Sequence, residues 1–261
     1  MIKKYHSITE AFEEKVENIE SIFSSFRTLH EMYVQIMTTA NVNPNSLVAF
    51  ERLTSSAKTE EKRISNGLYA QGYILLTGTA EALLKDVFES LLIENFTQIR
   101  VKSGINFSTS EVQQIMIDSK DGLDSFEHLN SSFGRLVKKK LLKDNKNATE
   151  RINFQNVQTM IDTFYQYFDL KINLTSVTNS IHRSWQVRHC VVHNNSLIDE
   201  RFMHNVRTVR LTKKSEKVGR YLTIKKSDYQ NAKADFIQLF DHLVILMEAA
   251  GLESRFLTKT Y

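Results

Sequence analysis

The sequence predicts an all-α protein: a helical bundle with an N-terminal helical extension and room for one small β-hairpin before the last helix. Three observations carry that expectation. Proline occurs once and glycine eight times in 261 residues, so few positions interrupt a helix. Leu, Ile, Glu, Lys and Gln recur in long unbroken blocks, as they do in mostly helical chains. Apolar residues return at three- and four-residue spacing over most of the length, the period of a helix with one buried face. A hydrophobic content of 41% is ample for a core.

In order along the chain, Ile8, Phe12, Ile19, Ile22, Phe23, Phe26, Met32 and Ile36 mark one long amphipathic helix over residues 7–40. Pro44 lies in a looser stretch, with a short helix expected near Leu47–Leu53. A second strong helix is predicted from Asn66 to Phe96, with Ile74, Leu84, Phe88 and Leu92 on one stripe and Glu81 inside it. Gly104 and Asn106 mark a loop. Ser108 or Thr109 can cap a short helix to Ile117, and another helix runs from Gly122 to Leu142, ending in Lys138-Lys139-Lys140. Phe154–Phe168 reads as a helix whose Phe164, Tyr165 and Tyr167 fill the core. Thr175 or Ser176 opens the next helix, which fades at Asn194-Asn195-Ser196. Val206–Leu211 and Arg220–Ile224 alternate and are β-branched, which predicts the hairpin. Ser227 or Asp228 caps a last helix to about Ala250, closed by Gly251. The division expected is an extension over 1–64, a main domain over 65–251 and a tail over 252–261.

Composition excludes several classes. The longest apolar runs fall well short of the roughly 18 to 20 residues of a membrane span, and Met1–His6 leads into a charged helix rather than a signal sequence. A cytoplasmic protein without a membrane partner is therefore expected. The single cysteine, Cys190, excludes an intrachain disulfide and disfavours a zinc cluster. In that setting the sequons at Asn95, Asn106, Asn130 and Asn173 read as chance matches. No Gly-rich phosphate loop is present, which disfavours nucleotide hydrolysis. The net charge of +4 is unevenly spread. Residues 205–226 hold Arg207, Arg210, Lys213, Lys214, Lys217, Arg220, Lys225 and Lys226 against Glu216 alone. Such a segment attracts a phosphate backbone, although a solvated, lysine-rich turn guarding a strand edge has the same composition.

The most informative segment is Trp185-Gln186-Val187-Arg188-His189-Cys190-Val191-Val192-His193-Asn194-Asn195. Residues 181, 185, 188 and 192 share a helical face, and three of them are Ile181, Trp185 and Val192. The fourth is Arg188. A guanidinium in an apolar row costs several kcal/mol to desolvate unless it is paired or faces a cleft or a partner. Arg188 and His193 lie about 140° apart around an ideal helix. Two arrangements unite them: a helix that loosens near His193, or a groove completed by a second copy of the chain about a twofold axis.

The spacing Arg-x4-His in this segment, with Val-Val-His-Asn-Asn at a helix end, resembles the signature of HEPN domains, in particular prokaryotic ones of the RiboL-PSP type whose motif reads Arg-Asn-x-x-Val-His-Asn. The layout over roughly residues 65–250 is similar as well, from an early helix with an embedded acid to a turn containing Asp199-Glu200 and a final helix. His189 departs from the pattern, standing where Asn or Asp is commoner. The resemblance implies a bundle that dimerises through the motif helix and, in active members, a metal-independent endoribonuclease with no cofactor. It also implies RNA as substrate and a toxin, antiviral-defence or stress-response setting, with an antitoxin or defence-system protein as a further partner.

The chemistry suits the residues. RNA cleavage by its own 2′-OH needs one proton removed, another delivered to the departing 5′-oxygen, and charge on the phosphorane stabilised. His193 is the expected acid or base, with the second copy's His193 taking the complementary role, and Arg188 the phosphate clamp. Asn194 and His189 are supporting residues, and Glu81 would hold the Arg188 rotamer. Arg207, Arg210, Lys213, Lys214, Lys217 and Arg220 are the expected RNA contacts. Plainer readings stand beside these. Arg188 and Glu81 can form a structural ion pair, and a silent domain of this type would bind RNA or protein through the same surface. His189 and His193 can face a metal, but His182 is the sole further histidine nearby, so no metal is expected. Cys190 reads as a small buried residue rather than a nucleophile, and Trp185 as core rather than a base-stacking ring.

Overall fold

The computed structural model describes residues 7–39, 47–95, 110, 154, 156–254 and 256–257. Apart from residue 110, which is helical, the helices expected over 108–117 and 122–142 lie outside them. Six helices are present among the described residues: α1 (Ile8–Thr39), α2 (Leu47–Glu94), α3 (Val157–Phe168), α4 (Thr175–His193), α5 (Glu200–Thr208) and α6 (Lys226–Ala249). The all-α class is therefore observed. None of these helices is long and apolar enough to cross a membrane.

Local chemistry explains most boundaries. Asn156 caps α3 by accepting from Gln158 N–H (2.8 Å) and Thr159 N–H (3.3 Å). Asp169 ends the helix in the left-handed region at φ 60°, its N–H returning to the Tyr165 carbonyl. The Asp228 carboxylate accepts the Lys225 N–H at the start of α6, and Gly251 with φ 63° follows its end. One boundary differs from expectation. α2 runs unbroken from Leu47, so the short helix near Leu47–Leu53 and the helix expected from Asn66 are one element. Nothing between them is a strong breaker, since Gly67 is tolerated inside a helix at about 1 kcal/mol relative to alanine.

The predicted β-hairpin is absent. Val206–Thr208 close α5, and residues 209–225 run as turns and irregular chain, with one isolated antiparallel bridge between Leu197 and Tyr221. Asp199 decides the difference by accepting the Phe202 N–H at 2.7 Å and starting a helix whose Phe202, Met203 and Val206 are buried. Val206 thus belongs to a helical row, not to an alternating strand.

The chain divides into two compact units. The first comprises Met1–Phe12, Ala80–His182 and Asp235–Tyr261. Its core packs Phe88 against Phe154, Phe164, Tyr167 and Phe168 at ring separations of 5.3–5.7 Å. Phe12 packs against Phe236 and Phe240 at 5.9 and 5.0 Å. Burying each such ring stabilises the unit by roughly 1.5–3 kcal/mol. Asn95 fixes the segment after α6: its amide donates to the Glu253 carbonyl at 2.6 Å and its side-chain oxygen accepts the Glu253 N–H at 2.7 Å. Leu252 and Phe256 are buried beyond it.

The second unit comprises Glu13–Thr79 and Arg183–Ala234. Phe23, Tyr69 and Tyr229 form a three-ring cluster with separations of 5.1, 5.4 and 6.3 Å. Gly72 on α2 lies against the tip of the Phe23 ring, which would have to shift to admit a Cβ there. Tyr73 Oη donates to Ser184 Oγ at 2.8 Å, which satisfies the hydroxyl of a serine buried on α4. Lys233 Nζ contacts both Glu20 oxygens, at 2.9 and 3.0 Å.

Candidate functional site: the end of the motif helix

The row that drew attention to Arg188 changes character along α4. Ile181 and Trp185 are buried, Arg188 is half-buried, and Val192 is 48% exposed. In the last turns the buried side rotates to Val187 and Cys190, and Cys190 Sγ–H donates to the Leu197 carbonyl of the returning chain. The apolar row therefore surfaces at Arg188. Trp185, at 4% exposure, is core and is not open to stack a base.

Of the two arrangements open to Arg188 and His193, a loosened helix is not observed. α4 remains helical through His193, and the Asn194 N–H still reaches the Cys190 carbonyl at 3.1 Å. The helix ends just beyond. Asn195 and Ser196 are both left-handed, with φ 50° and 66°, and the Ser196 N–H returns to the same Cys190 carbonyl at 3.0 Å. Arg188 and His193 thus stand on different faces of one continuous helix, about 140° apart.

Brought together instead are two histidines. His189 and His193, four residues apart, place their rings 4.6 Å centroid to centroid at an interplanar angle of 46°. Both are exposed. Burial of part of the ring lowers the His189 pKa, the neighbouring His193 and Arg201 lower it further, and Asp199 opposes them. Asp199 links the helix end to α5. Its carboxylate accepts the Phe202 N–H on one oxygen and Asn194 Nδ2, at 2.6 Å, on the other. The Phe202 amide is the main reason that its pKa is lowered. Asn194 is therefore oriented by Asp199, a partner that motif spacing alone did not reveal. An Asp followed by a helical apolar row at 202, 203 and 206 is the signal that could have found it.

Cys190 is 1% exposed, and burial pushes its thiol up to about 11. A thiol so held stays protonated near neutrality and is a poor nucleophile. Among the described residues no group of three or more His, Cys, Asp or Glu side chains is placed to hold a metal ion. Glu81 lies half-buried on α2 in the first unit, while Arg188 belongs to the second.

The basic segment is ordered around its lone carboxylate. Glu216 is 6% exposed and takes both guanidinium nitrogens of Arg183, Nη1 to Oε2 at 3.1 Å. Its Oε2 also accepts the Lys213 N–H at 3.0 Å, and Arg183 Nη1 donates to the Leu211 carbonyl at 2.9 Å. Lys213 Nζ is paired with Asp228. Arg207, Arg210, Lys214, Lys217 and Arg220 are exposed. Comparison with family models, with curated proteins and with solved structures yields no match.

Proposed function

We propose that the chain is a metal-independent endoribonuclease of HEPN type, with His189, His193 and Arg188 at its reacting centre. The observation that carries this reading is the pair of solvent-facing imidazoles side by side on the last turn of α4. Two such rings supply an acid and a base for a transfer at one phosphate. His189, biased toward its neutral form, accepts the 2′-OH proton as the 2′-oxygen bonds to phosphorus. The P–O5′ bond then breaks, and a protonated His193 delivers a proton to the leaving 5′-oxygen, so that the products are a 2′,3′-cyclic phosphate and a 5′-hydroxyl. Arg188, on another face of its own helix, serves a phosphate held against a second copy of the chain, where the exposed Val192 would be covered. A toxin or defence setting, with a cognate partner protein, stays part of this proposal.

A second reading is a non-catalytic RNA- or protein-binding module of the same type, and the separation of Arg188 from His193 on one helix favours it. Incubation of purified protein with RNA in excess EDTA separates the two. The catalytic reading expects cyclic-phosphate ends, a rate loss of about 10²–10⁴ for His193→Ala, and a comparable loss for Arg188→Lys, since an ammonium does not reproduce the planar fork. Intact RNA with wild-type protein that nevertheless binds it would overturn the catalytic reading.

A further inference from the structure

We propose that Leu197 and Tyr221 form a stacking platform for an unpaired RNA base beside the two histidines; the proposal rests on the RNA reading of the same site and commits it to single-stranded substrate. The backbone builds the platform. Leu222 N–H donates to the Ser196 carbonyl at 2.7 Å and Ile198 N–H to the Arg220 carbonyl at 2.9 Å, on either side of the Leu197–Tyr221 bridge. Bonds placed in this way make Leu197 and Tyr221 a non-hydrogen-bonded antiparallel pair, in which facing Cα atoms lie about 4.5 Å apart and both side chains project to the same side. Gly219, with φ 81°, turns the chain into that pairing and donates to the Ile198 carbonyl at 2.9 Å. Both side chains are left in solvent, Tyr221 at 73% and Leu197 at 42% exposure.

The platform borders the motif helix. Leu197 N–H donates to the Asn194 carbonyl at 2.8 Å, and the Leu197 carbonyl accepts Cys190 Sγ–H at 3.4 Å. Its surroundings favour RNA over a protein partner. Residues 196–226 hold nine lysines and arginines against Asp199, Glu200 and Glu216. Glu216 is buried under Arg183, and Asp199 is occupied by Asn194 and the start of α5. An exposed ring set among cations, with few unengaged carboxylates, matches how single strands are held: phosphates by charge, bases by stacking on aromatic faces. Protein interfaces, by contrast, are depleted in lysine.

The test is binding of a fluorescein-labelled oligoribonucleotide, single-stranded and as a duplex, followed by anisotropy across a salt series. Tyr221→Ala and Tyr221→Leu should each weaken single-strand binding roughly 5- to 100-fold, and Tyr221→Trp should retain it. The duplex should be little affected. The dependence on salt should be unchanged by Tyr221→Ala but reduced by Arg220→Ala. Equal single-strand affinity for wild type and Tyr221→Ala overturns the platform, as does an equal loss on duplex. A change in sedimentation of Tyr221→Ala with unaltered RNA affinity overturns it in favour of a protein contact. Cleavage assays on the same proteins keep the two readings apart. RNA cleaved by both wild type and Tyr221→Ala with equal affinity sinks only the platform, whereas Tyr-dependent binding without cleavage sinks only the ribonuclease.

Discussion

At the scale of single residues, the chemistry of the helix end turns on the unequal surroundings of His189. Its partly buried ring, with His193 and Arg201 beside it, makes the protonated form costlier than in water, and Asp199 offsets part of that cost. A histidine whose pKa is lowered on folding binds fewer protons in the folded chain than in the unfolded one. Its contribution therefore favours folding above the ordinary histidine range and weakens stability as pH falls through it. The ring proton resonances of His189 should titrate below the usual histidine midpoint. His193→Ala should raise that midpoint, because it removes a repulsive charge, and Asp199→Asn should lower it, because it removes an attractive one. A midpoint that moves the other way in either variant would refute this account of the pair.

Elements show where small capping groups set the path of the chain. Asp199 starts α5 and holds Asn194 at the end of α4, so one carboxylate serves two helix termini. Asp199→Ala should cost about 1 kcal/mol of stability and lower Tm by about 2–4 °C. The difference from wild type should be full near neutrality and fade as pH drops through the lowered Asp199 pKa, since the stabilisation requires the carboxylate. Calorimetry at two pH values checks both statements.

The same residue explains what could be read without a structure. α1, α3, α4 and α6 were legible because each has a long apolar row, and α4 and α6 have a recognisable start or stop as well, Thr175 and Gly251 respectively. The stretch after α4 was not. Val206, Thr208 and Val209 are β-branched and favour a strand, but the side-chain cap at Asp199 outweighed that weak local preference. The histidine pair was legible as spacing i, i+4. Its counterparts Asp199 and Arg201 were not, because they reach His189 only after Asn195 and Ser196 reverse the chain. Nor could spacing show that Glu216, the single acid in a basic run, is spent on Arg183.

For the whole molecule, the placement of Arg188 and His193 on separate faces of α4 makes a definite statement about assembly. Should each proposed site combine Arg188 from one copy with His193 from another, two inactive variants ought to repair each other. An exchanged equimolar mixture of Arg188→Ala and His193→Ala then contains half mixed dimers, each with one intact site, and should recover about a quarter of wild-type cleavage. No recovery, in a mixture shown by native mass spectrometry to have exchanged subunits, would place both residues of one chain in each site.

The Gly72–Phe23 contact also bears on descent. With the tip of the aromatic ring standing where residue 72 would carry its first side-chain carbon, the ring must shift for any larger residue there, and the two positions are coupled in size. In any chain that shares this ancestry, a larger residue at the first should accompany a smaller one at the second. Arg183 and Glu216 form a similar couple, in which the loss of either charge strands the other away from water. Paired substitutions of these kinds are a more discriminating mark of kinship than a short histidine motif that chance produces often, and they tell which distant sequences to align first.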